Sequence, residues 1–485
     1  MASWRKEYPV TEALFAEFDA STYDDWVEAA RASLGGRTLE RIVSATYEGI
    51  DIAPLPHADC VGAGLASDGI RGAGRARPWL IANEIDIAAP DDFNAALKTA
   101  LANGQTAITV GRSLRLEQAG DTRAALAGID LPRYPILLLS GGRSPEIYRL
   151  LQAPLNEGDL RRLTGCAGYD PLGAAARSGS LPADAFDALA AHVANLEAGS
   201  PDLGSIAVDA SPYHDAGANA AQELAIALAT GVAYLRELGG RGFAAEFAAE
   251  KLHVSLGIGE NFFMEVAKFR AIKSLWAQML RAFGVSAASR RIRLHARGGL
   301  RNKTRRERHV NLLRLTSETL AAALGGVDSI CLPAFDAPSG ASDEFSRRLS
   351  RNIQLILQEE AQVTKLIDPA GGAWHIERLT DQLARKAWRQ FQRIEAAGGI
   401  LAALQSGAIQ AEVATVAERR RQDLAAGKSI LVGANAYVNE AEPLPPARSL
   451  ETADSRAYGI RVEPLRPLRL AEDFELPRHA AGAGA

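Results

Sequence analysis

The 485-residue chain is 47% hydrophobic and 23% charged. That ordinary globular composition excludes the disordered and fibrous classes and leaves ample chain for a sizeable core. A formal net charge of −4 gives no global positive field to attract nucleic acid or an anionic membrane. Cys60, Cys166 and Cys331 stand far apart, which argues against a disulfide framework, a zinc cluster or any metal site. The charged N-terminus lacks a signal-peptide core and no long apolar run follows, so the expectation is a cytoplasmic protein without a membrane span.

In chain order, residues 1–36 read as two short helical pieces, around Thr11–Phe18 and Tyr23–Leu34, closed by Gly35-Gly36 as a C-cap. This is too little to fold alone, so it is expected to pack on a larger body or on a partner subunit. From about residue 75, short β-branched runs alternate with longer helical stretches. The expected strands are Trp79–Asp86, Thr106–Arg112, Tyr134–Ser140, a weaker one within Thr164–Asp170, Ser205–Ser211, Leu252–Gly257, Ile292–Ala296 and Ser329–Phe335. They lack polar/apolar alternation, as strands buried on both faces do. Helices are expected over Asp91–Ala102, Ala216–Glu237, Glu260–Phe283 and Val310–Ala323, then at Asp343–Glu360, Leu379–Ala397 and Gln410–Ala426.

Eight such units fit either a doubly wound sheet or a (β/α)8 TIM barrel. The regular repetition, and the absence of a glycine-rich phosphate turn after the first strand, favour the barrel. The expected organisation is an N-terminal helical extension over 1–36, a barrel with flanking helices over 37–440, and an extended Pro/Arg/Glu-rich arm or linker over 441–485.

Barrel active sites lie where the strands end. After Ser205–Ser211 come Pro212-Tyr213-His214-Asp215. A neutral imidazole there can donate to a carbonyl such as that of an acyl thioester. The plainer reading is a hydrogen-bonded strand-to-helix turn with Asp215 as N-cap. After Leu252–Gly257, the residues Phe262, Phe263, Val266 and Phe269 fall at helical spacing and read as core, with Glu265, Lys268 and Arg270 as surface ion pairs of little weight. Between Ser289 and His309 stand Arg290, Arg291, Arg293, Arg297, Arg301, Lys303, Arg305, Arg306 and Arg308, opposed only by Glu307. Such density can grip phosphates, for example those of coenzyme A, or form a solvated face or subunit contact. The run holds no aromatic residue, which argues against nucleic acid.

Several ordered motifs carry a family resemblance. They are Asn261-Phe262-Phe263-Met264-Glu265, His295-Ala296-Arg297, Asn302-Lys303-Thr304, Val310-Asn311-Leu312-Leu313-Arg314, Leu324-Gly325-Gly326-Val327-Asp328, Arg351-Asn352-Ile353-Gln354 and Ile367-Asp368-Pro369-Ala370-Gly371-Gly372. Over about residues 24–440 the chain resembles the barrel domain of adenosylcobalamin-dependent acyl-CoA mutases, above all methylmalonyl-CoA mutases. The resemblance implies acyl-CoA along the barrel axis, cobalamin on a separate flavodoxin-like domain capping the C-terminal face, and His214, preceded by Tyr213, against the thioester carbonyl.

The chain departs from the working pattern at three places. Active members continue Arg77-Pro78-Trp79 into a tyrosine that holds the radical pair apart, and Glu84 stands at that position. A glutamine that contacts substrate is replaced by Gly168, next to the retained Asp170; Arg177 lies near, though one residue off, the carboxylate-gripping arginine. Neither His214 nor His295 sits in the Asp-x-His-x-x-Gly string that ligates cobalt, because Pro212 and Arg293 replace the aspartate. Asp170-Pro171-Leu172-Gly173, Tyr213-His214-Asp215-Ala216-Gly217 and the arm Pro467–Glu475 are similar to the small, non-catalytic subunit of heterodimeric methylmalonyl-CoA mutase.

The resemblance therefore implies a chain that by itself binds no cofactor and pairs with a homologous large catalytic subunit, adenosylcobalamin belonging to the assembled enzyme. The alternative is the catalytic barrel of a split acyl-CoA mutase with a separate cobalamin-binding subunit and a different acyl-CoA. Site candidates are Tyr213 and His214, as vestigial or substrate-contacting residues, with Arg177, Arg297, Asn302 and Lys303 for acyl-CoA.

Overall fold

The structure is a computed structural model that describes residues 21–57, 78–139, 142–340, 342–446 and 459–475. The helix expected over Thr11–Phe18, and the residues Cys60 and Arg77, lie outside them. Eight parallel strands form the centre: β1 (Leu80–Ile81), β2 (Ile108–Thr109), β3 (Ile136–Leu138), β4 (Gly165–Tyr169), β5 (Leu203–Asp209), β6 (Leu252–Ile258), β7 (Leu294–Gly298) and β8 (Ser329–Cys331). Each strand pairs with its sequence neighbour from β2 to β8, and β8 pairs with β1 in the register Ser329↔Leu80. Pairing of the first strand with the last excludes the doubly wound sheet. The remaining seam, β1 against β2, is closed by the Thr106 and Ala107 amides donating to the Ile81 carbonyl at 3.1 and 3.2 Å and by Gly111 N–H donating to the Ile85 carbonyl at 3.2 Å.

Side chains alternate across each strand. Outward residues such as Ile206, Val208, Val254, Leu256 and Leu294 join the main core beneath the helices. Inward positions carry Ala82, Ala107, Cys166, Gly168, Ser205, Ala207, His253, Ser255, Gly257, His295 and Ser329. Most barrels fill this space with branched aliphatics; here the lining is small or polar apart from Leu80, Leu137 and Leu139. β4 and β5 slip in register between Cys166 and Tyr169. A Cβ at Gly168 would stand 2.6 Å from Ala207 Cβ and 2.9 Å from Cys166 Sγ, so no longer side chain fits there without moving β5.

The helices used below are α1 (Tyr23–Ser33), α2 (Pro90–Ala102), α3 (Pro171–Ser178), α4 (Ser211–Asp215), α5 (Ala220–Gly239), α6 (Phe262–Ala282), α7 (Val310–Leu324), α8 (Glu344–Leu355), α9 (Trp374–Ala396) and α10 (Ala408–Ala425). α1 opens on a capping box in which Thr22 Oγ1 accepts from the Asp25 amide and the Asp25 side chain accepts from Thr22 N–H. The helix expected over Ala216–Glu237 is present as α5 but starts at Ala220, because Gly217 at φ +109° separates it from the short α4 before it. The second helix is capped by Asn219 with Gln222. Asp215, expected as that N-cap, ends α4 instead.

A second correction concerns α6. Glu265, Lys268 and Arg270 are buried, not surface residues. α6 is covered by β6, α5, α7 and α9, so every face of it is internal, and its charges survive only through partners. Arg270 bridges Asp368 and Glu377, the latter at 2.7 Å, which locks α6 to the start of α9.

The C-terminal arm crosses the face where the strands end. Ile460–Arg461 pairs antiparallel with Ser180–Leu181. The Leu465, Leu468 and Leu470 amides then donate to the Ala176, Asp215 and Arg301 carbonyls at 2.7, 2.7 and 2.8 Å. Glu475 ends the strap by accepting from the Arg305 amide and side chain at 2.7 and 2.8 Å. Among the described residues no single helix is long and apolar enough to cross a membrane.

Replacing Glu475 by alanine leaves buried Arg305 without its carboxylate. The expected result is local opening of the arm made easier by about 2 kcal/mol, hence roughly thirtyfold faster tryptic cleavage at Arg469, with the barrel intact. Unchanged cleavage kinetics would show that the ion pair does not hold the strap.

Candidate functional site

Strand ends and the loops after them bring a dense set of charges to the barrel mouth. Arg297, inward-facing at the end of β7, forms a two-pronged ion pair with Glu84 beyond β1, with Nη2 donating to Oε2 at 2.7 Å. The pair spans β8, so it ties together strands that are not neighbours. Burial opposes ionisation of Glu84, but the Arg297 guanidinium overcomes this and keeps the carboxyl below its usual range. The position that the family resemblance sets against a tyrosine therefore holds one half of a salt bridge.

Arg177, from α3, donates to Asp209 Oδ2 at 2.8 Å. Asp209 also accepts from Ser211 Oγ at 2.6 Å, and its amide donates to Asp170 Oδ2 at 2.8 Å. Asp170 takes Gly173 N–H at 2.9 Å and the Tyr234 hydroxyl. Burial pushes the Asp170 carboxyl up to about 6. Tyr213 packs beside this network; its phenol is enclosed without a hydrogen-bond partner, and burial holds it far above its usual range.

His214 is 2% exposed. Its ring lies over Gly257, where a Cβ would come within 2.2 Å of the imidazole Cγ, so only glycine at this point of β6 leaves room for it. Nδ1 faces Asp215 Oδ1 at 3.4 Å, and Nε2 has no partner. Burial first, then the nearby charges of Arg301, Lys268 and Arg420, hold the ring neutral. A neutral ring whose Nδ1 carries the proton presents an acceptor at Nε2.

Beyond His214 the charges come in closed sets. Lys268 Nζ contacts Glu223 at 2.8 Å, Glu265 at 2.6 Å and the Gly257 carbonyl at 2.9 Å. With two carboxylates around one ammonium, burial raises Glu223 to about 7. Glu260 bridges Arg301 at 2.9 Å and Arg420 of α10 at 2.8 Å. Lys303 donates to Glu318 and to Asn302 Oδ1, each at 2.6 Å, and Asn302 donates to Glu318 at 2.8 Å.

The basic run from Ser289 to His309 is thus largely consumed internally. Arg291 pairs with Asp328, Arg297 with Glu84, Arg301 with Glu260, Lys303 with Glu318 and Arg305 with Glu475. Arg290, Arg293 and Arg306 bond backbone carbonyls. Arg297 and Arg177 share the rim of the mouth, where Arg112 also stands exposed to solvent. Asn302 and Lys303 lie to one side with α7, apart from the axis. Reading along the chain missed Glu223, Glu260, Glu318 and Arg420, which sit on separate helices and loops. The one local hint was Glu260 directly after a glycine-bounded strand end.

Neither histidine in a His-x-x-Gly string fits a cobalt ligand. His214 is enclosed at the mouth, and His295 lies inside the barrel with Nδ1 2.8 Å from Ser329 Oγ. No step through cobalamin follows from these residues.

Eight parallel strands whose first and last members pair, with charged side chains gathered at the ends of the strands, define a (β/α)8 barrel protein. The methylmalonyl-CoA mutase family profile matches residues 109–475. The chain is 36% identical over 447 residues to the methylmalonyl-CoA mutase small subunit of Streptomyces virginiae, covering 88% of this chain and 72% of that protein. It is 36% identical over 388 residues to the probable small subunit of Mycobacterium tuberculosis, covering 77% and 61%. It is 30% identical over 508 residues to the methylmalonyl-CoA mutase of Cereibacter sphaeroides, covering 95% and 71%. The chain belongs to the methylmalonyl-CoA mutase family. It spans 61–72% of the length of these three relatives.

Two measurements check the charge arrangement. Lys268→Met strands two buried carboxylates, and a loss of about 3–5 kcal/mol in urea unfolding at pH 7.5 is expected. The loss should shrink at pH 5.5, where Glu223 accepts a proton. Separately, burial holds His295 down at about 4 against 6.5 unfolded. Its contribution is complete above pH 6.5 and is lost as the pH falls towards 4, because the unfolded chain then binds the proton first. The stability difference between the wild type and His295→Gln should therefore fall by up to about 3 kcal/mol between pH 7 and pH 4.5. A pH-independent difference would contradict a buried neutral ring.

Proposed function

We propose that this chain is the non-catalytic small subunit of a cytoplasmic, adenosylcobalamin-dependent methylmalonyl-CoA mutase, and that it supports a homologous catalytic large subunit in a heterodimer. The observation that carries the reading is the Glu84–Arg297 ion pair at the mouth. An arginine at the rim, where an acyl-CoA would enter, is already neutralised by the residue that stands in place of the radical-separating tyrosine. Arg177 is likewise engaged by Asp209. Opening either pair to a substrate carboxylate would strand a desolvated acid, a cost of several kcal/mol. Gly168 adds to this, since a glutamine there would collide with β5. Tyr213 and His214 then remain as parts of the mouth's framework rather than as groups that turn substrate over. Small-subunit names among relatives agree with this reading.

A second reading, the catalytic barrel of a split mutase with a separate cobalamin-binding subunit, is favoured by the barrel lining. Apart from Leu80, Leu137 and Leu139 its inward residues are small or polar, and Ser205 Oγ and His253 Nε2 have no partner, so an acyl-CoA arm could find both room and hydrogen bonds along the axis.

Co-expression with a homologous large mutase subunit separates the two. The expected outcome is a stable one-to-one complex whose isomerase activity survives substitution of His214 in this chain by alanine. Isomerase turnover by this chain with only a free cobalamin domain, or saturable acyl-CoA binding by it in isothermal titration that His214→Ala abolishes, would overturn the small-subunit role in favour of the split enzyme.

A further inference from the structure

Beside the barrel axis lies a second space. A cavity of about 640 Å³ opens between α6, α7 and the segment after α10, and reaches inward to His214. Its volume falls within the range of small-molecule sites. The floor is buried and polar, made by His214, Lys268, Arg301 and Glu318; the mouth carries the exposed apolar Leu313, Ile430 and Val432 beside Arg314 and Ser317. Leu313 is 71% exposed, so the rim is not part of any core.

Three buried atoms around this one cavity have neither a hydrogen-bond nor an ion-pair partner, namely His214 Nε2, Arg301 Nε and Glu318 Oε2, while Glu265 Oε2 has only its ion pair with Lys268. An unsatisfied buried polar group costs about 1–3 kcal/mol and calls for an occupant. The backbone makes room for their convergence. A Cβ at Gly259 would meet Arg301 Nη2 at 2.6 Å, Glu265 Oε1 at 3.0 Å and His214 Nε2 at 3.1 Å.

We infer that this lateral cavity is a ligand site for an uncharged, hydroxyl-bearing small molecule with an apolar flank. Two of the three open atoms accept and one donates, which a hydroxyl group satisfies because it does both. The charges of the floor are already matched, Lys268 by Glu223 and Glu265, Arg301 by Glu260, and Lys303 by Glu318. A phosphate or carboxylate would bring acceptors against the Glu318 and Glu265 carboxylates and the imidazole lone pair, and is rejected. The neutral ring of His214, held so by burial and by the cations around it, keeps that lone pair available. The exposed Leu313, Ile430 and Val432 then cover the apolar flank as it leaves the cavity.

Phenyl β-D-glucopyranoside, titrated calorimetrically into the full chain, has the required hydroxyl head and apolar flank. Phenyl phosphate and benzoate are its charged counterparts. The expected result is saturable binding with Kd of about 1 mM or tighter, roughly tenfold better than either anion. Ser317→Trp, at an exposed position of the mouth, should weaken it roughly tenfold or more at unchanged Tm. Gly259→Ala, on the floor, should do the same. No saturation up to about 20 mM glucoside, well above the expected Kd, would show that the cavity holds water only. Equal affinity for the anions, or binding indifferent to Ser317→Trp, would equally overturn the site.

Discussion

The salt bridge between Glu84 and Arg297 is the contact on which the barrel mouth depends. It joins the end of β7 to the chain beyond β1, across β8. Two charges largely taken from water in this way are held chiefly by each other. Either residue alone would be a liability; together they brace the rim and occupy it. The second rim arginine obeys the same rule, since Arg177 is coupled through Asp209 to Asp170 and Tyr234. The mouth is therefore a set of mutually dependent charges, and a group that displaced Glu84 from Arg297 or Asp209 from Arg177 would have to replace a partner.

The same economy governs the outside of the barrel. The long basic run after β7 attaches later elements one by one: Arg301 reaches α10 through Glu260, Lys303 reaches α7 through Glu318, and Arg305 reaches the arm through Glu475. α6 is fastened to the approach to α9 through Arg270. Helices that follow the barrel in sequence are thereby stitched over its C-terminal face, where His214 lies between the axis and the lateral cavity. A chain with nearly balanced charge can still hold dense local charge, provided each ion finds its opposite when it is buried.

Much of the fold was legible from the chain. The eight strand segments, including the weak one now seen as Gly165–Tyr169, were marked by apolar β-branched runs between helical stretches. The short α4 and the later start of α5 at Ala220 were not, because the turn between them depends on Gly217 taking φ +109°, which a single glycine does not announce. Glu265, Lys268 and Arg270 looked solvated because acid and base at helical spacing usually are; their burial follows from helices packed on every side of α6. For the site, Tyr213, His214 and the arginines could be nominated by position after a strand. Which carboxylate each arginine meets could not be, since Arg297 and Glu84 are 213 residues apart.

By itself, the sequence determined the alternation of strand and helix, the family motifs and the presence of Glu84 and Gly168, because these depend on local propensity and on residue identity. Only the tertiary structure decided that β8 meets β1 and closes the barrel, that the basic run is neutralised inside the molecule, and that His214 turns an unpartnered nitrogen towards a cavity beside the axis. These depend on which distant groups are brought within hydrogen-bonding distance and shut away from water, and at such short range the strength and sign of an electrostatic interaction follow from three-dimensional position rather than from order along the chain.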